Sequence, residues 1–91
     1  MKHSIHPIAE VEHQEAFDYL EHESPGKGLQ FNEEVDRLID SICDFPFAGT
    51  KIEDGIRMRV VRRFPYKILY AIEPTGIYIL TIMHCHREPD F

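Results

Sequence analysis

Ninety-one residues, 43% of them hydrophobic and 11% aromatic, set the scale of one small domain spanning 1–91 and exclude a disordered chain. No apolar run approaches the roughly 20 residues that cross a bilayer, and no signal peptide opens the chain, so the expected location is the cytoplasm. The formal net charge is −6, and the two cysteines, Cys43 and Cys85, are too few for a disulfide framework and read as core thiols in a reducing compartment.

His3 to Ile8 reads as a short opening strand, stopped by Pro7. From Ala9 to His22 the spacing turns helical: Ala9, His13, Ala16, Phe17 and Leu20 fall on one stripe, and Glu10, Glu12, Glu15, Asp18 and Glu21 populate the other faces. Ser24-Pro25 is a restart signal, with Ser at the N-cap and Pro at the first helical position. The second helix should reach about Cys43 and bury Phe31, Val35, Leu38, Ile39 and Ile42. Phe45-Pro46 and Ala48-Gly49 end it. A meander follows: a strand from Ile56 to Phe64 interrupted by Pro65, another from Tyr66 to Glu73, and a third from Ile77 to His84 after the turn Pro74-Thr75-Gly76. Short turns make these neighbours antiparallel, and the two helices must cover one face of the sheet. The fold class is therefore α+β, a helical hairpin on an antiparallel sheet in the order β-α-α-β-β-β.

Charge is unevenly placed along this framework. Residues 1–54 hold 13 acidic and 4 basic side chains, a balance of −9, whereas residues 55–91 hold 3 and 6, a balance of +3; together these give −6. Five cations, Arg57, Arg59, Arg62, Arg63 and Lys67, fall within eleven residues. Arg57 and Arg59 alternate with Ile56, Met58 and Val60, which on a pleated strand puts both guanidinium groups on one face. Such a face suits phosphate or carboxylate and is costly to bury. The alternative is that acidic helices neutralise a basic sheet within the same fold.

Several segments, in order and at compatible spacings, resemble the RelE/ParE superfamily of bacterial toxins, and its ParE-like branch in particular. They are Ser24-Pro25, the linker Phe45-Pro46-Phe47-Ala48-Gly49, Gly55-Ile56-Arg57, the run Phe64-Pro65-Tyr66-Lys67-Ile68-Leu69-Tyr70, and the closing stretch from Ile79 through His84, His86 and Arg87 to Pro89. The resemblance spans essentially the whole chain. It implies the toxin of a type II toxin–antitoxin pair, of the kind that stabilises plasmids, neutralised by a small antitoxin encoded in the adjacent reading frame. ParE-like members inhibit DNA gyrase by binding, whereas RelE-like members cut mRNA on the ribosome. Under the nuclease alternative, Arg57, Arg59, Lys67 and Arg87 would hold the scissile phosphate, and His84 or His86 would carry the proton. Those nucleases end in a segment bearing Tyr or His, whereas Phe91 has no ionisable group.

Weighed residue by residue, the cluster Arg57, Arg59, Arg62 and Arg63 either stabilises developing charge or pairs with acids of the helices or of an antitoxin. His84 and His86, two apart on a strand, share a face, and either could exchange a proton with a substrate, while Cys85 between them points away, which makes a metal site geometrically poor. Tyr66 and Tyr70 either stack on a base or pack in the sheet. The binding set expected from this reading is Arg57, Arg59, Arg63, Tyr66, Lys67 and Arg87, with no cofactor and no metal.

Overall fold

In the computed structural model, which describes residues 1–87, strand β1 (His3–Ile5) leads into helices α1 (Pro7–Glu23) and α2 (Lys27–Asp44). A short 3-10 turn (Pro46–Ala48) then precedes β2 (Thr50–Glu53), β3 (Ile56–Val60), β4 (Tyr66–Glu73) and β5 (Gly76–His84). One sheet runs in the order β1-β5-β4-β3-β2. The expected helical hairpin on a sheet is present, with one strand more than the pattern suggests. Every residue of β2 is exposed, so its alternation of polar and apolar side chains carries no burial signal. β1 runs parallel to β5 and makes the sheet mixed.

α1 begins two residues earlier than its apolar stripe. His6 ends the strand and caps the helix: its Nδ1 accepts from the Ile8 N–H at 3.0 Å, and Pro7 takes the first helical position, where no N–H is needed. The Ser24-Pro25 restart is built differently from expectation. The Ser24 N–H closes α1 on the Leu20 carbonyl at 3.0 Å, and α2 is capped from across the turn. The Glu21 carboxylate accepts from the N–H groups of Gly26, at 2.9 Å, and Gly28, at 3.0 Å. A carboxylate at the positive end of α2 does what a serine hydroxyl would do, with a full charge. Gly28 is needed for contact between the helices, since a Cβ there would sit 2.9 Å from the Phe17 carbonyl oxygen.

The core lies between the hairpin and one face of the sheet. Phe31, Val35, Leu38, Ile39 and Ile42 of α2 meet Ile68 and Tyr70 of β4 and Ile77, Ile79 and Ile82 of β5, all buried. Leu69, Thr81 and Met83 are also buried but lie on the other parity of β4 and β5, away from that cluster. A register shift between Leu69 and Tyr70 leaves Leu80 as the extra residue of β5. β1 ends near this point, and beyond it α1 lies along the outer edge of β5. Glu12 Oε1 accepts from the Thr81 hydroxyl at 2.6 Å and from the Ile82 N–H at 3.1 Å. One helix carboxylate therefore replaces the strand that β5 lacks there.

Candidate functional site

Arg57 and Arg59 do share a face, and it is the face turned toward the helices. Their register partners across β4 are Tyr70 and Ile68, both members of the core. Arg57 Nη1 donates to the Phe47 carbonyl at 3.2 Å and the Gly49 carbonyl at 2.9 Å, and its guanidinium lies 5.2 Å from the Phe47 ring centroid. Arg59 Nη1 donates to the Ser41 hydroxyl at 3.1 Å. Both side chains are half-buried. Their partners are carbonyls and a hydroxyl, not carboxylates of the helices. Among the described residues the ion pairs are Lys27–Glu23, Arg37–Glu34 and Lys51–Asp54, none of which involves an arginine from Arg57 to Arg63.

Beside Arg57, the Tyr70 hydroxyl donates to the Pro46 carbonyl at 2.7 Å. Burial pushes the Tyr70 phenol above its ordinary value; a hydrogen bond with the Gly49 backbone and the charges of Arg59 and Arg57 oppose the shift. Arg62 and Arg63 fall in the β3–β4 turn, outside the strand expected to hold them, because β3 stops at Val60 and the Val61 N–H turns back to the Tyr66 carbonyl at 2.8 Å. Arg63 adopts φ 71, a left-handed conformation that costs a non-glycine residue about 1 kcal/mol. It faces a groove of about 540 Å³ against the start of α2.

The other candidates collect at the far end of β5. Tyr66, His84 and Arg87 line a cavity of about 240 Å³ with Glu12 and Glu15 of α1. The Tyr66 ring stands edge-on to His84 at 5.4 Å and lies 5.0 Å from Phe31, which ties the cavity floor to the core. Burial raises the Tyr66 phenol, aided by Tyr19 and Glu23 and opposed by Arg87 and Lys27. His84 and His86 do not alternate along one strand. β5 ends at His84, the Cys85 N–H bonds the Pro65 carbonyl at 2.7 Å, and the His86 N–H bonds His84 Nδ1 at 3.2 Å, so a turn stacks the two rings 5.1 Å apart. Lys67 belongs to the opposite parity of β4 and reaches the Cys85 carbonyl at 3.5 Å. Phe91 lies outside the described residues. Cys43 and Cys85 are free thiols, and burial raises the former. Among the described residues no group of three or more His, Cys, Asp or Glu is placed to hold a metal ion, and no helix is long and apolar enough to cross a membrane.

A hairpin on a five-stranded sheet, with a clamped linker after α2, is thus the frame on which these residues sit. The family model described as "ParE toxin of type II toxin-antitoxin system, parDE" matches residues 4–89. The chain belongs to the ParE toxin family. Ten chains of solved structures are similar to it, among them one titled "Chromosomal ParDE TA system from P. aeruginosa". That similarity has a TM-score of 0.79 at 18% identity and covers 92% of this chain and 95% of that one, which shows a shared fold. No curated protein sequence matches.

Three features of this ParE-family chain escape the sequence reading. Glu12 looks like one acid among several on a solvated helix, and nothing in its spacing announces that it caps a strand edge. The Tyr70 hydroxyl is hidden because both roles weighed for Tyr70, base stacking and sheet packing, concern its ring. Phe45 and Phe47 flank a proline between helix and strand, and that pair of large aromatics in a linker was the available signal.

Proposed function

We propose that this ParE-family toxin acts by binding its target, with DNA gyrase as the candidate carried by the family, and that an antitoxin encoded in the adjacent reading frame neutralises it. What supports binding over catalysis is the scatter of the groups that nucleolytic chemistry would have to bring together. Arg57 and Arg59 are engaged by a linker and a helix hydroxyl, Lys67 lies on the other face of β4, and His84 and Arg87 line a cavity at the far end of β5. General acid–base catalysis needs its groups within about 3 Å of one reacting atom. Antitoxin capture has its own support: β2 is an exposed edge strand available for pairing, and Arg62 and Arg63 are exposed cations. An acidic antitoxin segment, disordered until bound, would pair along the β2 edge and meet those cations.

The test is direct. Purified protein should stop gyrase supercoiling at near-stoichiometric amounts and leave translated mRNA intact. Supercoiling that proceeds at excess toxin removes the gyrase reading. Failure to co-purify with the product of the neighbouring small frame removes the antitoxin reading.

One observation favours the runner-up, a ribosome-dependent mRNA endonuclease. Tyr66, His84 and Arg87 do line a single cavity, which gathers a phenol, an imidazole and a guanidinium. Codon-specific cuts mapped by primer extension after induction would support it; uniform transcripts would eliminate it. The net charge of −6 opposes it, since ribosome-bound nucleases gain affinity from basic surface.

A further inference from the structure

The linker from Phe45 to Gly49 combines two properties that rarely coincide by default: its backbone is held by interior side chains, and its aromatic side chains are left in water. Arg57 binds the carbonyls of Phe47 and Gly49, and Tyr70 binds that of Pro46. Pro46 removes a backbone rotation of its own. Gly49 is buried against the Tyr70 hydroxyl and the Met58 carbonyl, where a Cβ would collide. Three of the linker's carbonyls, those of Pro46, Phe47 and Gly49, are therefore held by donors that sit on the inner face of the sheet. What this frame displays is Phe45, 66% exposed, and Phe47, 69% exposed, the latter resting on the Arg57 guanidinium. A linker that only joined α2 to β2 would need neither the clamp nor the two phenyl groups. Rigid, exposed aromatics have already lost the conformational entropy that binding removes, and such residues dominate interface energies.

Electrostatics select the occupant. Asp36, Asp40 and Asp44 recur at four-residue intervals along α2, are all exposed, and lead straight into Phe45. Among the described residues none of them has an ion-pair partner. Arg57, the cation under Phe47, directs a donor nitrogen at two carbonyls. An acidic stripe running into an apolar anchor repels a phosphate backbone and an acidic peptide alike, and attracts a basic rim.

We propose that Phe45 and Phe47 are the anchors by which this toxin docks on its protein target, at a target surface offering an apolar pocket flanked by lysine or arginine side chains. Arg57 and Tyr70 are then positioning residues. The inference rests on the reading of the chain as a target-binding toxin.

The experiment compares the full chain with the Phe45→Ala, Phe47→Ala double variant in gyrase supercoiling and in growth after induction. Melting temperature and capture by the neighbour-encoded antitoxin serve as checks of the fold. The variant should need on the order of tenfold more protein, or more, for half-maximal inhibition, with melting and antitoxin capture unchanged. Equal potency of the two proteins overturns the inference and leaves the proposed function standing. If the wild-type chain does not touch gyrase, that target is removed and growth decides: arrest lost in the variant upholds the anchors, and arrest kept overturns them. A wild-type chain that arrests nothing removes both readings. Should the double variant melt early, Phe45→Ala alone carries the decision, because Phe45 lacks the arginine contact; severalfold weaker inhibition upholds the proposal and unchanged inhibition overturns it. Asp40→Lys together with Asp44→Lys should weaken inhibition, and stronger inhibition overturns the basic rim.

Discussion

The two ends of the sheet are organised in opposite senses. Near the β2 edge, cations point inward and aromatics outward: Arg57 and Arg59 serve the linker and α2, while Phe45 and Phe47 face solvent. At the far end of β5, Tyr66 packs inward on Phe31, and His84, Glu12, Glu15 and Arg87 line an open cavity. Arginine thus does structural work at one end, at Arg57 and Arg59, and lines an open cavity at the other, at Arg87. A count of cations in the sequence does not measure the charge a partner meets.

The largest effect on that contrast should come from Arg57→Ala. It leaves two linker carbonyls without their donor and should cost roughly 3 kcal/mol, read by urea denaturation. Arg62→Ala, in the exposed turn, should stay within about 0.5 kcal/mol. Equal costs would erase the distinction between bound and free arginines. Arg57→Lys should recover only part of the loss, since an ammonium cannot lay a guanidinium plane against the Phe47 ring while it donates to the linker.

At the opposite end, Glu12→Ala exposes the logic of the β5 edge. It removes the shared acceptor of the Thr81 hydroxyl and the Ile82 N–H, and should cost about 2 kcal/mol. Glu12→Gln keeps an acceptor oxygen and should restore most of the stability. Hydrogen exchange at the Ile82 amide is the sharper readout, with protection lost in the alanine variant and retained in the glutamine one. A gain in stability from Glu12→Ala would mean that the edge needs no cap.

Much of this architecture is legible in the sequence, and the losses have physical causes. The α2 stripe from Phe31 to Ile42 is buried as its spacing requires, and the proline and glycine signals bracket β4 and β5 within one residue. Alternation correctly places Arg57 and Arg59 together, but parity is silent about which face the helices will cover. The expected capping serine loses to Glu21, a choice that depends on how the hairpin closes and not on local propensity. β2 escapes because an edge strand with both faces wet carries no apolar pattern. The His84–His86 pair departs from one-face spacing because β5 ends between them.

A smaller effect sharpens the role of the clamp. Tyr70→Phe removes one hydrogen bond to Pro46 and should cost about 1 kcal/mol, without altering the core volume. Its consequence for inhibition should be a modest loss in the same direction as the phenylalanine variants, because the linker becomes less fixed.

The smallest effect is alkaline. Tyr66 and Tyr70 are both raised above the ordinary tyrosine value of 10.0, chiefly by burial. The folded chain therefore holds these protons more firmly than the unfolded one. Their contribution to stability is complete below that ordinary value and is lost as pH rises through the higher folded values. Melting temperature should fall above about pH 10, and Tyr66→Phe should blunt the fall. A melting temperature flat through that range would contradict the assigned burial.

The central claim is that this toxin works through a surface and not through bond-breaking chemistry. Growth arrest by the His84→Gln, His86→Gln double variant tests it most directly. Removing both imidazoles would cost a nuclease that relies on them about 10²–10⁴ in rate, enough to abolish arrest. The account predicts that the variant, folded and still captured by its antitoxin, arrests growth as the wild type does. Recovery of growth together with disappearance of mRNA cuts would contradict it.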